Sequence, residues 1–317
     1  MLIECLKISN EPHKKLIEKS LLSNFDLKNP DRFVPLFTIY EFLGHTSKFF
    51  QSKDTHPNFF QNMRLCNLGN TGKLIYSSSN VLSALQNLDK YDKYFCTNQS
   101  IELLINDSST SIKSSWSNAA SKGAIVMEYI WLCMLKNLLS STTNDIWEPI
   151  EVHFMSDRSS YETQVSGKNT NVKFNQEQTA IIFKSSLLTK KLVNSDDCFN
   201  KSVRTKAISQ RPPVGLAHKI EHFFDNNLAG YLPTLSEMAV FYGVSPSTFK
   251  RHLGYENSNY KDITNRWRLM NSVSLLTNTN KSVTEISNKL HYSNPANFIR
   301  AFKKWTGQTP MDFKNSS

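Results

Sequence analysis

The feature that most constrains this chain is a repeated pattern near its C-terminal end. Residues 234–254 read TLSEMAVFYGVSPSTFKRHLG, and residues 282–310 read SVTEISNKLHYSNPANFIRAFKKWTGQTP. Each stretch predicts a helix, a short turn and a second helix, which Ser245-Pro246 and Asn294-Pro295 open as N-cap and first helical residue. SPSTFKRHL (245–253) aligns with NPANFIRAF (294–302), 49 positions further on. A repeat that keeps phenylalanine inward and arginine outward is hard to attribute to chance.

The second helix of the later copy has two contrasting faces. Its predicted inward stripe contains Phe298, Ala301, Phe302 and Trp305. Its opposite face contains Ala296, Asn297, Arg300, Lys303 and Lys304. An aromatic inner face with a basic outer face suits a helix that rests on a core and enters a DNA major groove. A single basic face is more often solvated surface, so it is the second copy that favours DNA.

The pattern resembles a known family. Residues 286–310 carry I-x-x-x-L-x-Y-S-x-P-x-N-F-x-R-A-F-K-x-W-x-G-x-T-P, and residues 239–251 carry A-x-x-x-G-V-S-x-x-x-F-x-R. Residues 213–314 therefore resemble the DNA-binding domain of the AraC/XylS family of bacterial transcription regulators, with Arg268 and Leu275-Leu276 matching the helix between the two motifs. The resemblance implies activation through contact with RNA polymerase, and repression stays open.

Two positions of the second motif depart from the family pattern. Ser287 stands where the family usually has alanine, and His291 stands where it usually has glycine. A glycine at that position serves a turn with positive φ, which histidine tolerates with some strain. We expect a somewhat destabilised second motif that still folds.

Ten residues are candidate DNA contacts. We expect Arg251 and Arg300 to read guanine bidentately rather than to clamp phosphate. Ile299 suits either a thymine methyl group or packing against the neighbouring helix, whereas Lys303 and Lys304 suit phosphates. The full set is Ser247, Thr248, Lys250, Arg251, Ala296, Asn297, Ile299, Arg300, Lys303 and Lys304.

Charge is concentrated where the repeat lies. The 317 residues carry a net charge of +10 and suggest about two domains. Residues 211–317 hold 13 Lys and Arg against 7 Asp and Glu, whereas residues 1–210 hold 24 against 20. A local basic excess is what a phosphate-binding surface requires. The five cysteines form no C-x-x-C pair, which argues against a zinc site and fits a reducing cytoplasm.

The region before residue 194 is predicted to be an α+β domain. Helical spacing of apolar residues recurs at 12–22, 35–50, 80–88 and 118–139, and a short helix is predicted over 157–165. Strand signals occur at 101–105 and 112–116, which suggest a hairpin, at 150–154, and in a second predicted hairpin of 172–174 with 180–183. The apolar run at 124–135 contains Glu128, so it predicts a buried helix and no membrane span.

This first domain more loosely resembles the arabinose-binding-like sensor domain of one AraC/XylS subgroup. The likeness rests on NPDRFVPLFTIYEFL (29–43) and VKFNQEQTAIIFKSSLL (172–188). It implies a small-molecule effector, a homodimer contact, or both, without identifying a sugar as the ligand. Six aromatic residues suit either an apolar pocket or, more commonly, plain core: Phe37, Tyr40, Phe49, Phe50, Phe59 and Phe60.

The predicted organisation is a sensor or dimerisation domain over 1–193, a linker over 194–213 and an all-α DNA-binding domain over 214–317. The linker is polar, basic and closed by two prolines. A helix over 259–277, with Ile263, Trp267, Met270, Val273 and Leu276 inward, joins the two motifs. It would span about 27 Å, a length suited to placing two recognition helices in successive major grooves, about 34 Å apart.

The sequence therefore predicts a cytoplasmic transcription regulator that binds double-stranded promoter DNA, and neither an enzyme nor a cofactor-binding protein. His218 and His222 have the i, i+4 spacing of a metal pair, but no third ligand accompanies them. One alternative is an alkyl-transfer enzyme that carries this DNA-binding domain, against which the scattered cysteines count. A nonspecific architectural DNA binder is another. Effector, promoter and oligomeric state stay open.

Overall fold

The computed structural model describes residues 13–25, 27, 33–50, 63–95, 99–116, 121–142, 147–157, 166–192, 214–227 and 231–316. The chain divides into two compact units, the first of 1–23 and 27–212 and the second of 24–26 and 213–317. The predicted linker lies outside the described residues. Residues 158–165, which make up all but the first residue of the predicted short helix, also lie outside them.

The first unit combines helices with one mixed sheet. Its helices are α1 (His13–Glu18), α2 (Leu36–Phe50), α3 (Gly69–Tyr76), α4 (Val81–Lys90), α5 (Asp92–Phe95) and α6 (Lys122–Ser140). Its strands are β1 (Gln99–Ile105), β2 (Ser109–Trp116), β3 (Glu151–His153), β4 (Asn171–Lys173) and β5 (Thr179–Lys184). Short 3-10 turns occur at Leu21–Asn24, Leu65–Asn67 and Ser185–Leu187. The predicted α+β class is confirmed.

The sheet has the order β1-β2-β5-β3-β4. The first predicted hairpin is confirmed, because β1 pairs antiparallel with β2. The second is wrong: β5 pairs antiparallel with β2 and β3, and β4 pairs parallel with β3. Ala180, Ile181 and Phe183 are almost fully buried, so β5 is stabilised in the middle of the sheet rather than at its edge.

Helix α6 is the core helix of the first unit. It is long and apolar enough to cross a membrane by length and composition, but 72% of its most apolar window is buried inside the fold. Its one carboxylate, Glu128, is 4% exposed and accepts hydrogen bonds from the Met155 N–H (2.6 Å) and the Thr179 hydroxyl (2.5 Å). A buried carboxylate needs such donors, and here they join the helix to the sheet.

The six aromatic residues proposed as pocket or core divide into two groups. Tyr40 is buried, but Phe37 is exposed, so the core assignment of Phe37 is wrong. The side chains of Phe49, Phe50, Phe59 and Phe60 lie outside the described part of the chain.

The second unit is helical in all its described elements except one isolated bridge. Its helices are α7 (Gly215–Asn226), α8 (Leu235–Phe241), α9 (Pro246–Tyr255), α10 (Tyr260–Asn278), α11 (Val283–Lys289), α12 (Pro295–Thr306) and α13 (Pro310–Ser316). With 19 residues, α10 spans about 28 Å. The predicted fold class of this region is confirmed.

Residues 24–26 also belong to the second unit, although they precede it by nearly the whole first unit. The Phe25 ring packs edge-on against Phe223, with centroids 5.0 Å apart, and against Phe241, with centroids 5.9 Å apart. Phe25 is 3% exposed and forms an isolated bridge with Asn227. The aromatic core of the unit is thus completed by a residue from an early segment of the chain.

Helix α10 changes its buried face along its length. Ile263 and Trp267 are buried in its first half, and Ser272 and Leu276 in its second half. Ile263 and Ser272 are nine residues apart, about two and a half turns, so they lie on opposite faces. The prediction that Met270 points inward is therefore wrong: it continues the first stripe into the second half and is exposed.

Candidate nucleic-acid interface

The first helix-turn-helix motif comprises α8 and α9. Thr234 caps α8 in a capping box, in which its hydroxyl accepts from the Glu237 N–H (3.3 Å) and the Glu237 carboxylate accepts from the Thr234 N–H (2.7 Å). Ser245 caps α9, and Pro246 follows it as the first helical residue. Phe249 is fully buried on the inner face of α9.

The second motif, α11 and α12, repeats this construction. Ser282 and Glu285 form the capping box of α11, and Asn294 and Pro295 open α12. The inner face of α12 buries Phe298 and Phe302 completely, so the predicted inward stripe is confirmed at its two phenylalanines. Ala301 and Trp305 on the same stripe are half-buried.

The turns of the two motifs share one hydrogen-bonding pattern. In the first, the Gly243 N–H donates to the Val240 carbonyl and the Val244 N–H to the Ala239 carbonyl, each at 3.0 Å. The second matches it, with His291 N–H to Asn288 at 3.0 Å and Tyr292 N–H to Ser287 at 3.1 Å. These pairs define a Schellman motif, whose C′ residue is left-handed.

The left-handed residues are Gly243, with φ of 66°, and His291, with φ of 58°. The positive φ expected at position 291 is confirmed. Ser287 is fully buried, and its hydroxyl has no hydrogen-bond partner among the residues that the structure describes. Its counterpart Ala239 is also fully buried and has no polar side-chain atom to satisfy. Both departures from the family pattern therefore lie at sites where the usual residue fits better.

The candidate contact residues lie on the outer faces of α9 and α12. Seven are exposed, namely Ser247, Lys250, Arg251, Ala296, Arg300, Lys303 and Lys304. Three are half-buried, namely Thr248, Asn297 and Ile299. The half-burial of Ile299 is consistent with packing beside a neighbouring helix as well as with contact to a base. Contact of these ten residues with DNA stays a prediction.

The two outward arginines differ in how they are held. Arg300 donates from Nη2 to Oδ1 of Asn297 at 2.6 Å, and Asn297 in turn donates to the Ser293 hydroxyl at 2.9 Å. Arg251 has no hydrogen-bond partner within the described ranges. An Asn–Arg pair on one helical turn presents both groups to the solvent in a defined arrangement, so the second motif offers the more ordered donor set.

Lys261, a cation that is not among the predicted contacts, lies beside the first motif. A cleft of about 540 Å³ lies between α8, α9 and α10. It is lined by Leu235, Lys250, Leu253, Asn259, Tyr260, Lys261, Thr264, Asn265 and Arg268. Lys261 is exposed, and its position at the start of α10 gave no signal in the sequence pattern. Together with Lys250 it extends the positive surface beyond the recognition helix.

In the sequence, only its match to the family pattern marks Arg268. Its Nε donates to the Leu290 carbonyl and its Nη2 to the His291 carbonyl, both at 3.1 Å. Its guanidinium carbon lies 4.3 Å from the centroid of the Tyr292 ring. Partial burial lowers the pKa of Arg268 below its ordinary value, and the neighbouring Tyr292 offsets part of this shift.

His218 and His222 have the i, i+4 spacing of a metal pair. The Nδ1 atom of His218 lies 2.8 Å from the carbonyl oxygen of Val214. Within the described residues, no group of three or more His, Cys, Asp or Glu side chains has an arrangement that could hold a metal ion.

Two linked helix-turn-helix motifs with capped helices and basic outer faces define a DNA-binding domain. The family model described as a helix-turn-helix domain matches residues 238–316. This C-terminal domain is of the AraC/XylS type.

Curated relatives match the same end of the chain. HTH-type transcriptional regulator VqsM of Pseudomonas aeruginosa is 35% identical over 102 residues, which are 32% of this chain and 31% of VqsM. Porin thermoregulatory protein EnvY of Escherichia coli is 34% identical over 70 residues, 22% of this chain and 28% of EnvY. HTH-type transcriptional activator CfaD of Escherichia coli is 34% identical over 80 residues, 25% of this chain and 30% of CfaD. The matches thus span about a third or less of these relatives.

A solved structure aligns over more of the chain. The transcriptional regulator CdpR of Pseudomonas aeruginosa aligns over 99% of this chain and 96% of its own, at 15% identity and a TM-score of 0.35.

Proposed function

We propose that this protein is a sequence-specific transcription regulator that binds double-stranded promoter DNA through α9 and α12. The observation that carries the proposal is the structural repeat: two capped motifs with the same turn, each presenting an arginine outward. Arginine at such a position reads guanine in the major groove. The names of two curated relatives support the same role, since VqsM is named a transcriptional regulator and CfaD a transcriptional activator.

One subunit reads two successive major grooves in this proposal. Helix α10 joins the two motifs and spans about 28 Å, comparable to the roughly 34 Å that separate successive major grooves on one side of a duplex. Ser247, Thr248, Lys250 and Arg251 read one half of the site, and Ala296, Asn297, Ile299 and Arg300 read the other. Lys303 and Lys304 contact phosphates.

The first unit is proposed to control DNA binding or activation, by binding a small-molecule effector, by forming a homodimer, or both. In this proposal the protein activates transcription through contact with RNA polymerase, as the resemblance to the AraC/XylS family implies, and the relative CfaD is itself named a transcriptional activator. Such a regulator acts in the cytoplasm, where the bacterial chromosome lies.

The alkyl-transfer alternative needs a reactive acceptor cysteine. Two cysteines lie in the described residues, Cys66 and Cys133. Burial raises the pKa of the Cys133 thiol to about 12, so that thiol is protonated and a poor nucleophile at neutral pH. Cys133 is therefore a poor candidate for such an acceptor.

The test begins with double-stranded oligonucleotides selected from a random pool by the full-length protein. Arg251→Ala and Arg300→Ala should each weaken binding to the selected site by about 1–3 kcal/mol, and each should relax preference in a different half of it. Lys303→Ala and Lys304→Ala serve as matched controls, which should weaken all sequences alike and flatten the salt dependence.

Three results would contradict the proposal. Loss confined to the same half of the site for both arginine variants would exclude the two-groove arrangement. Unchanged affinity for the selected site in both variants would exclude base reading by the arginines. A specific-to-nonspecific affinity ratio near one for the wild-type protein would favour the architectural binder instead.

Sensor control has its own test. A fragment that contains the second unit without the first, and that activates the native promoter fully under every condition where the whole protein does, would remove the need for a sensor. Because Phe25 belongs to the second unit, the fragment should carry residues 24–26 fused ahead of residue 213.

A further inference from the structure

One side chain of α10 contacts three successive residues in the turn of the second motif. Arg268 donates to the carbonyl oxygens of Leu290 and His291 and lies over the ring of Tyr292. The preceding residue adds a fourth contact, because the Trp267 ring stacks on the His291 ring with centroids 6.4 Å apart and planes 12° from parallel. Helix α10 therefore holds the turn directly.

The acceptors of Arg268 lie at the end of α11 and just after it. Leu290 is the C-cap of α11, and His291 follows it, so their carbonyls have no donor within the helix. The carbonyl end of a helix also carries partial negative charge, which favours a cation. The planar guanidinium donates to two acceptors in a fixed geometry, which a single ammonium group does not reproduce.

The first motif has no such arrangement. Tyr242 and Gly243 are the counterparts of Leu290 and His291, and no side chain in the described part of the chain donates to their carbonyl oxygens. Gly243 adopts its left-handed conformation at no steric cost, whereas His291 lacks that freedom. The contacts from α10 are therefore found at the turn whose left-handed residue carries a side chain.

We propose that Arg268 is a positioning residue for the second recognition helix. By holding the turn of residues 290–292, it sets the direction in which the chain enters α12 at Asn294, and so the angle at which Arg300 meets a base pair. Arg268 acts on sequence preference without touching a base. This inference rests on the proposed reading of DNA by α12.

The experiment uses the full-length protein and its selected DNA site, with either half scrambled. The half of the DNA site where Arg300→Ala relaxes base preference is called the α12 half. The half where Arg251→Ala does so is called the α9 half. Arg268→Ala should weaken binding to the intact site by about tenfold, the size of one lost base contact. With the α12 half scrambled, Arg268→Ala and wild type should bind equally well.

Two further variants separate positioning from simple charge or folding. Arg268→Lys keeps the positive charge and should not restore binding, because one ammonium group cannot replace a guanidinium that donates to two carbonyl oxygens in a fixed geometry. In a His291→Gly background, Arg268→Ala should lose less affinity, since glycine adopts the turn without support. Retained binding to the α9 half shows in each case that the first motif is folded.

Arg266→Ala is the matched control. Arg266 lies two residues away on α10 but pairs with Glu221 at 2.7 Å. Its replacement by alanine should therefore leave the affinity for each half of the site as in wild type. The inference is overturned if Arg268→Ala weakens both halves equally, if Arg268→Lys restores full affinity, or if the His291→Gly background makes no difference. Absence of any selected site for the wild-type protein would instead overturn the proposed function.

Discussion

The two helix-turn-helix motifs have the same backbone conformation but form it with different residues. Capping boxes, prolines at the first helical position and Schellman turns agree between them. They diverge at two positions: Ala239 and Gly243 in the first motif correspond to Ser287 and His291 in the second. The first motif satisfies its turn through local sequence, and the second relies on contacts from α10. A locally unfavourable residue is thus tolerated where the surrounding fold holds the conformation.

The largest expected effect tests what the motifs share. Phe249→Ala and Phe298→Ala should each destabilise the second unit by about 3–5 kcal/mol, because both rings are fully buried in equivalent places. Val240→Ala, an exposed apolar position on α8, serves as the control and should stay within about 0.5 kcal/mol. Denaturant unfolding measures the three. A large loss in only one of the phenylalanine variants would show that the cores are not equivalent.

The second-largest effect is expected when the buried small residues of the two motifs are exchanged. Ser287→Ala should stabilise the protein by about 1–3 kcal/mol, because it removes a buried hydroxyl without a partner among the described residues. Ala239→Ser should destabilise it by a similar amount for the opposite reason. Both are measured by chemical denaturation. Stabilisation by both changes, or by neither, would contradict the comparison of these sites.

A smaller effect concerns the left-handed residues. Gly243→His should cost about 1–2 kcal/mol, because a side chain at positive φ is strained and nothing in the described first motif supports the turn. His291→Gly should change stability by less than about 1 kcal/mol, since relief of strain is offset by loss of the Trp267 stacking. Thermal unfolding compares the two. Equal and opposite changes would argue that support from α10 is irrelevant to the turn.

The smallest effect is expected to be equal in both motifs. Backbone hydrogen bonds from Thr234 and Ser282 lower the pKa of Glu237 and Glu285 respectively. A carboxylate with a depressed folded-state pKa contributes stability above its unfolded-state pKa, and this is lost as the pH falls through the folded-state value. Glu237→Gln and Glu285→Gln should therefore lower the Tm slightly at pH 7, and the difference should vanish in acid. Persistence of the difference in acid would point to a cause other than charge.

Much of the DNA-binding domain could be predicted because its signals are local. Caps, N-terminal prolines and apolar spacing lie within a few residues of the structure they specify, and the positive φ at His291 followed from its place in the turn. The outward positions of Arg251 and Arg300 followed from the same periodicity. The ranking of individual DNA contacts stays a prediction.

What could not be predicted depends on distant contacts. Nothing near β4 indicates that it pairs with β3 rather than β5. Met270 was assigned inward because a single helical stripe was extended along α10, whereas that helix serves two cores on opposite faces. Arg268 holds carbonyls more than twenty residues away, and backbone acceptors carry no sequence signature.

The placement of Phe25 has a consequence for how the protein is made and recombined. The ring leaves the ribosome about 200 residues before Phe223, so the domain synthesised last completes its core with a side chain synthesised early, at the entropic cost of closing a long loop. Transfer of residues 214–317 onto another sensor would leave that ring behind. As an evolutionary module, the DNA-binding domain is therefore discontinuous in sequence. A graft that begins at the end of the linker would lack Phe25 and leave a cavity beside Phe223 and Phe241.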